Sequence, residues 1–378
     1  MKKENNTEKK NNGKKKNKGC LIGLAIAGGL LALLILLVAL LPSLLFTDYQ
    51  GLPTTGKYDV EMASAILVDE NRTESFESDG SNREVPVYFF YPDTASGSFP
   101  LVVFSHGAFG YYQSNMSTYM ELASHGYVVV SLDHPYHSFF TKDTDGKTVI
   151  VNPEFMQQVM YINDNAPEEE IISISHEWLR LRTDDMNFAL DTIKKACESG
   201  ITDAWHIDSD SGNMENILSL IDTDRIGLMG HSMGGAASVT LGRTRDDIDA
   251  VINLDGTMLG EQYGYKDGEY DLYEESYPVP LLFVSNEAHH YESQEVEELY
   301  VNNVVLENAV DARYTYFVGS GHMNFTDLPL FSPKLAEMLG TGEVDAKECI
   351  VTMNELILDY YNCCLKDMGE AVVEECYG

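Results

Sequence analysis

The sequence predicts an α/β architecture: a doubly wound, mostly parallel sheet with flanking helices, preceded by a single N-terminal transmembrane helix. Three observations carry this expectation. Apolar runs of strand length, such as FPLVVFSHG (99–107) and GYVVVSLDH (126–134), are bounded by glycine and polar residues, as in strands buried on both faces. These runs alternate with segments of helical periodicity, which favours crossover connections within one sheet. An uncharged stretch, CLIGLAIAGGLLALLILLVALLPSLLF (20–46), comes before them all.

Residues 1–19 hold eight Lys and two Glu, a charge of +6, and read as a basic, disordered cytoplasmic tail. The formal net charge is −35, so the remaining chain carries −41 (−35 minus +6). Such an acidic excess argues against a nucleic-acid partner, whose phosphates it would repel. As a helix, the 20–46 run would span about 40 Å, more than the roughly 30 Å hydrocarbon core. A cleaved signal peptide has a shorter apolar core, about 7–15 residues. The expectation is therefore a single-pass anchor with the N-terminus cytoplasmic and the folded part outside the cell. The alternative is a long signal peptide and a secreted product. Residues 47–84 are assigned to a stalk and the first strands, 85–366 to one folded domain, and 367–378 to a tail.

Within that domain the strands are VYFFYPD (87–93), the two runs above, RIGLMG (225–230), DAVINLDG (249–256), VPLLFVSNE (279–287) and ARYTYFVGSG (312–321). Helices are expected over Met116–Ser124, 177–196, from Gly234 onward, 293–304 and Ala346–Lys366. Segment 141–176 is a candidate cap insertion. In it, PEFMQQVMYI (153–162) sets Phe155, Met156, Val159, Met160 and Ile162 on one side of a short helix. That face could line an acyl pocket, touch lipid or pack on the sheet. Tyr263, Tyr265, Tyr270, Tyr273 and Tyr277 form either an aromatic cleft wall or a surface loop. No C-x-x-C occurs, so no zinc site is expected, and the pairing of Cys376 stays open. The acids Asp208, Asp210, Asp222 and Asp224 lack the glycine and glutamate of a calcium loop and read as solvated. Neighbouring His289 and His290 could not both face one ion from a regular strand, so no metal is expected there.

The stretch GHSMG (230–234) follows a buried strand and opens a helix rich in small residues. Glycines on either side of a serine let a strand-to-helix turn close without Cβ clashes, leaving the hydroxyl at its tip. A serine needs a base in hydrogen-bond reach, and the base needs an orienting carboxylate. His322, after the last strand in GSGHMNF, is the candidate base. Two acids compete: Asp255, ending VINLD, and Glu287, ending LLFVSNE. The residues alone favour neither. The oxyanion formed on attack would meet the backbone N–H groups of Met233 and Ala108. His106 shapes the loop holding Ala108 and reads as structural. Candidate pocket residues are Phe109, His134, Phe155, Met160 and Phe325. No cofactor or metal is required.

Taken in order, FPLVVFSHGAFG, ELASHGYVVVSLDH, GHSMGGAAS, LDGTMLG and GSGHMNFTDLPLF resemble the platelet-activating factor acetylhydrolases over roughly 85–335. These are the plasma-type phospholipase A2 branch of the α/β-hydrolases, within a wider dienelactone-hydrolase-like group. The resemblance implies the α/β-hydrolase fold and a triad of Ser232, Asp255 and His322, which settles the acid on Asp255. It also implies a calcium-independent serine esterase or lipase removing short or oxidised acyl groups from phospholipids. An acyltransferase using the same triad, or an idle surface-binding protein, are the alternatives. The loops at 141–176 and 259–277 depart from the family.

Overall fold

The computed structural model describes residues 45–163, 166–209, 211–296 and 300–378. The basic tail, the 20–46 run up to residue 44, and Asp210 lie outside the described residues. Among the described residues no helix is long and apolar enough to cross a membrane. The chain runs β1 (Val60–Thr73), β2 (Asn82–Pro92), β3 (Phe99–Ser105), α1 (Met116–Ser124), β4 (Val128–Leu132), a hairpin of β5 (Phe140–Lys142) and β6 (Thr148–Ile150), α2 (Pro153–Asn163), α3 (Glu168–Ser199) and β7 (Trp205–Ile207). It continues through α4 (Met214–Leu218), β8 (Ile221–His231), α5 (Met233–Thr244), β9 (Ala250–Leu254), a hairpin of β10 (Gln262–Lys266) and β11 (Glu269–Leu272), β12 (Leu281–Asn286), α6 (Glu287–Val296) and α7 (Val301–Asn308). Last come β13 (Ala312–Phe317), α8 (Leu328–Phe331), α9 (Pro333–Leu339), α10 (Ala346–Lys366) and β14 (Cys376–Tyr377).

Ten strands form one sheet in the order β14-β13-β12-β9-β8-β3-β4-β2-β1-β7. Pairing is parallel from β14 to β4 and antiparallel from β4 through β2 and β1 to β7. Every residue of β3, β4, β9 and β12 is buried, as their unbroken apolar runs require. The alternation of side chains divides the core into two layers. Leu101 and Val103 of β3 join Met186, Leu190 and Ile193 of α3 and Val239 of α5 on one face. Val102 and Phe104 join Tyr119 and Leu122 of α1 and Met353, Ile357 and Tyr361 of α10 on the other. This frame puts the carboxyl ends of β3, β8, β9 and β13 along one edge, where ligands bind in open parallel sheets.

Several local expectations are corrected. Helix α3 starts at Glu168 rather than 177, because Pro167 is extended (φ −61°, ψ 143°) and three glutamates favour the positive end of the first turn. The 141–176 segment holds most of the β5–β6 hairpin, α2 and the first turns of α3. On α2 Phe155 is buried, whereas Met156, Met160 and Tyr161 are exposed. The tyrosine segment folds as a hairpin, but Tyr277 is buried and its hydroxyl donates to the Val239 carbonyl at 2.9 Å. The strand read as 279–287 ends at Asn286, and a helix begins at Glu287 instead of 293. Cys197, Cys349, Cys363, Cys364 and Cys376 are free thiols.

Candidate active site

Ser232 sits between β8 and α5 with φ 55° and ψ −124°, a left-handed backbone rarely adopted by a residue with a side chain. The turn is closed by glycine sterics. A Cβ on Gly230 would lie 2.2 Å from Gly234 backbone, and one on Gly234 would lie 1.9 Å from the Ser105 carbonyl oxygen. The amide of Ser232 is fixed to the Leu254 carbonyl at 2.8 Å. The residue is half-buried, and its hydroxyl has no hydrogen-bond partner among the described residues.

Asp255 follows β9, also with a positive φ of 57°. A Cβ on its neighbour Gly256 would lie 2.3 Å from the Ser232 carbonyl oxygen, so this turn presses on the serine turn. The Asp255 side chain is fully buried and accepts four hydrogen bonds. His322 Nδ1 donates to Oδ2 at 2.6 Å, Asn286 Nδ2 to Oδ2 at 2.5 Å, Asn286 N–H to Oδ1 at 2.8 Å and His289 Nδ1 to Oδ1 at 2.9 Å. Burial pushes the carboxyl upward, but the bonds from His289 and His322 outweigh it and hold the group well below the usual range. His289 is raised by the same contact with Asp255, against the opposing effect of burial.

His289 was legible only as half of a pair unsuited to a metal. On helix α6 it instead reaches the Asp255 carboxylate. The donor atoms of Asp255, His289 and His322 lie within 4.8 Å of one another, a set able to hold a metal ion. Both Nδ1 atoms nevertheless stand at hydrogen-bond distance from the carboxylate. The alternative acid, Glu287, is turned elsewhere: it accepts from the Gly319 N–H at 3.1 Å.

His322 opens a one-turn helix after β13. Asn324 Oδ1 ties that turn together by accepting from Gly321 N–H and Gly342 N–H, each at 2.8 Å. His231, the residue before the serine, donates from Nε2 to the His322 carbonyl at 3.1 Å. Burial and the neighbouring His322 push His231 down to about 3, which keeps it neutral.

The loop leaving β3 lies against the serine turn. A Cβ on Gly107 would be 3.3 Å from Ser232 Cβ and 2.9 Å from His231 Nδ1. Ala108 and Met233 are half-buried, and neither N–H donates to a described backbone carbonyl outside α5. His106 is buried, with Nδ1 2.6 Å from the Gly107 carbonyl and Nε2 2.8 Å from Ser138 Oγ.

The five expected pocket residues differ in exposure. His134 is fully buried between Ser105 Oγ at 2.9 Å and Asp185 Oδ2 at 3.0 Å. Phe155 is buried, stacked on His137 with ring centroids 3.9 Å apart. Phe325 is buried against Phe317. Met160 stands on the open surface. Phe109 alone remains half-buried beside the loop, its ring 5.3 Å from Phe155.

The chain is 26% identical over 269 residues to a platelet-activating factor acetylhydrolase from Bos taurus, covering 69% of this chain and 56% of that one. It is 26% identical over 274 residues to the protein of that name from Gallus gallus, covering 69% and 61%. The chain thus spans less than two thirds of the length of these relatives. A ferulic acid esterase from Streptomyces cinnamoneus shares the fold, with a TM-score of 0.63 at 20% identity over 84% of this chain and 93% of that one. The family model described as platelet-activating factor acetylhydrolase, isoform II, matches residues 71–370, and the chain belongs to that family.

Proposed function

We propose that the chain is a serine carboxylic-ester hydrolase. The observation that carries this reading is the buried Asp255 carboxylate bonded to His322 Nδ1 at 2.6 Å, beside a serine on a glycine-closed turn. With Nδ1 committed to Asp255, Nε2 is the ring nitrogen free to take a proton. Ser232 Oγ attacks the ester carbonyl carbon and its proton passes to His322 Nε2. The carbonyl oxygen becomes an oxyanion facing the Ala108 and Met233 N–H groups. Collapse breaks the ester bond, the leaving alkoxide takes the proton from His322, and an acyl-serine remains. Water, deprotonated by His322, then attacks the acyl carbon; the acyl–Oγ bond breaks, the acid leaves, and the proton on His322 returns to Ser232 Oγ. The separation of Ser232 Oγ from other polar groups is compatible with this, since such bonds tighten on substrate binding.

Family membership supports an ester of a phospholipid, with a short or oxidised acyl group, as substrate. The apolar 20–46 run supports a membrane-anchored chain. Its end is docked on the domain: Ser332 Oγ donates to the Leu45 carbonyl at 2.7 Å, and Thr47 N–H donates to the Phe331 carbonyl at 2.8 Å. The test is labelling of the full chain in membranes by a fluorophosphonate, with release of acetate from a short-chain phospholipid. Wild type should label and turn over, and Ser232→Ala should do neither. Equal labelling of both would end the proposal.

A further inference from the structure

Arg182 is completely buried on α3, yet among the described residues no carboxylate pairs with it. A buried guanidinium is ordinarily set against an acid, because an unpaired charge in the interior is strongly destabilising. The acid three residues along, Asp185, is already occupied by Arg83 at 2.6 Å, Arg72 at 2.8 Å and His134 at 3.0 Å. Arg182 turns instead to the loop leaving β3. Nη1 donates to the His106 carbonyl and, at 3.3 Å, to Ser105 Oγ; Nη2 donates to the Gly107 carbonyl at 3.3 Å.

The Gly107 carbonyl also takes the Gly110 N–H at 3.1 Å and lies 2.6 Å from His106 Nδ1. All peptide bonds here are trans. A trans peptide points its C=O and N–H in opposite directions. Holding the Gly107 C=O toward α3 therefore turns the Ala108 N–H away from α3. Gly107 is also the residue whose Cβ position comes within 3.3 Å of Ser232 Cβ.

We propose that Arg182 is a positioning residue: its guanidinium locks the 106–108 peptides so that the Ala108 N–H is aimed at the oxyanion before substrate arrives. The inference rests on the ester-hydrolase reading of Ser232. It also gives the charge a use, since a fixed cation behind the loop favours a developing anion over a neutral carbonyl.

The test compares wild type, Arg182→Ala and Arg182→Lys on a short-chain nitrophenyl ester and on a trifluoromethyl ketone, whose adduct with serine carries an oxyanion. In Arg182→Ala, kcat should fall by about 10² and ketone affinity should fall in parallel, with KM within about threefold. Millimolar guanidinium should restore part of kcat without restoring the melting temperature. Arg182→Lys, which keeps the charge and loses the fork, should fall between the two and serves if Arg182→Ala does not fold. Unchanged kcat and ketone affinity in a folded variant, whatever its melting temperature, would overturn the proposal. Failure of the ester-hydrolase reading looks different: wild type itself would neither turn over the ester nor bind the ketone.

Discussion

The His231 side chain donates to the His322 backbone carbonyl at 3.1 Å, so the residue before the turn serine is tied to the residue proposed as its base. Two loops separated by 91 positions are thereby held in one register. His231→Leu removes the donor and strands a part-buried carbonyl. The expected outcome is a loss of about 1–2 kcal/mol in stability, with kcat down about tenfold. His231→Gln should recover part of both. Urea unfolding and steady-state kinetics on the three proteins check this.

Asp255 follows β9 and Glu287 follows β12, yet only Asp255 meets His322. Asp255→Asn should lower kcat by about 10³–10⁴, because an amide cannot hold the imidazole in the required tautomer. Glu287→Gln should leave kcat within about threefold. Parallel kinetics decide it; a larger loss in Glu287→Gln would move the acid to α6.

Asp133 offers a pH test. Its carboxyl is fully buried, and Oδ1 accepts from the Tyr112 N–H at 2.7 Å. Burial pushes it up to about 7. The folded state thus binds this proton more tightly than the unfolded chain, whose value is about 3.9, and the group's contribution is lost as pH rises through about 4–7. Asp133→Asn should become more stable than wild type at pH 8 by about 2–4 kcal/mol, and lose that advantage at pH 4. A stability difference that stays flat with pH would contradict this.

Arg83 bridges Asp185 at 2.6 Å and Glu74 at 2.8 Å inside the protein. These contacts hold the Asp185 carboxyl well down against the opposing effect of burial. Arg83→Met leaves both acids short of a counter-charge and should cost about 3–5 kcal/mol. Chemical denaturation measures it, and a change under about 1 kcal/mol would mean that Arg72 and His134 suffice.

The parallel strands were legible because burial on both faces demands unbroken apolar runs, as in LVVF of β3 and VVVSL of β4. The serine turn was legible because the sterics at Gly230 and Gly234 exclude other residues. His289 was missed because LLFVSNE was read as strand to its last residue. A signal was present: Asn286 accepts the His289 N–H at 2.9 Å, and asparagine is a favoured residue at the start of a helix. The burial of these loop side chains was illegible for another reason. His134, Phe155 and Phe325 have the chemistry of a cleft wall, but which side of the sheet a loop buries depends on contacts far along the chain. His134, for example, is held by Asp185, 51 residues away.

One consequence follows from the backbone angles at position 232. A side chain held at φ 55° carries strain of about 1–3 kcal/mol, which glycine would release. Ser232→Gly should melt at a higher temperature than wild type while losing all turnover. Selection for robustness alone would therefore erode this protein's chemistry first, and any thermally hardened variant needs its activity assayed before its gain is credited.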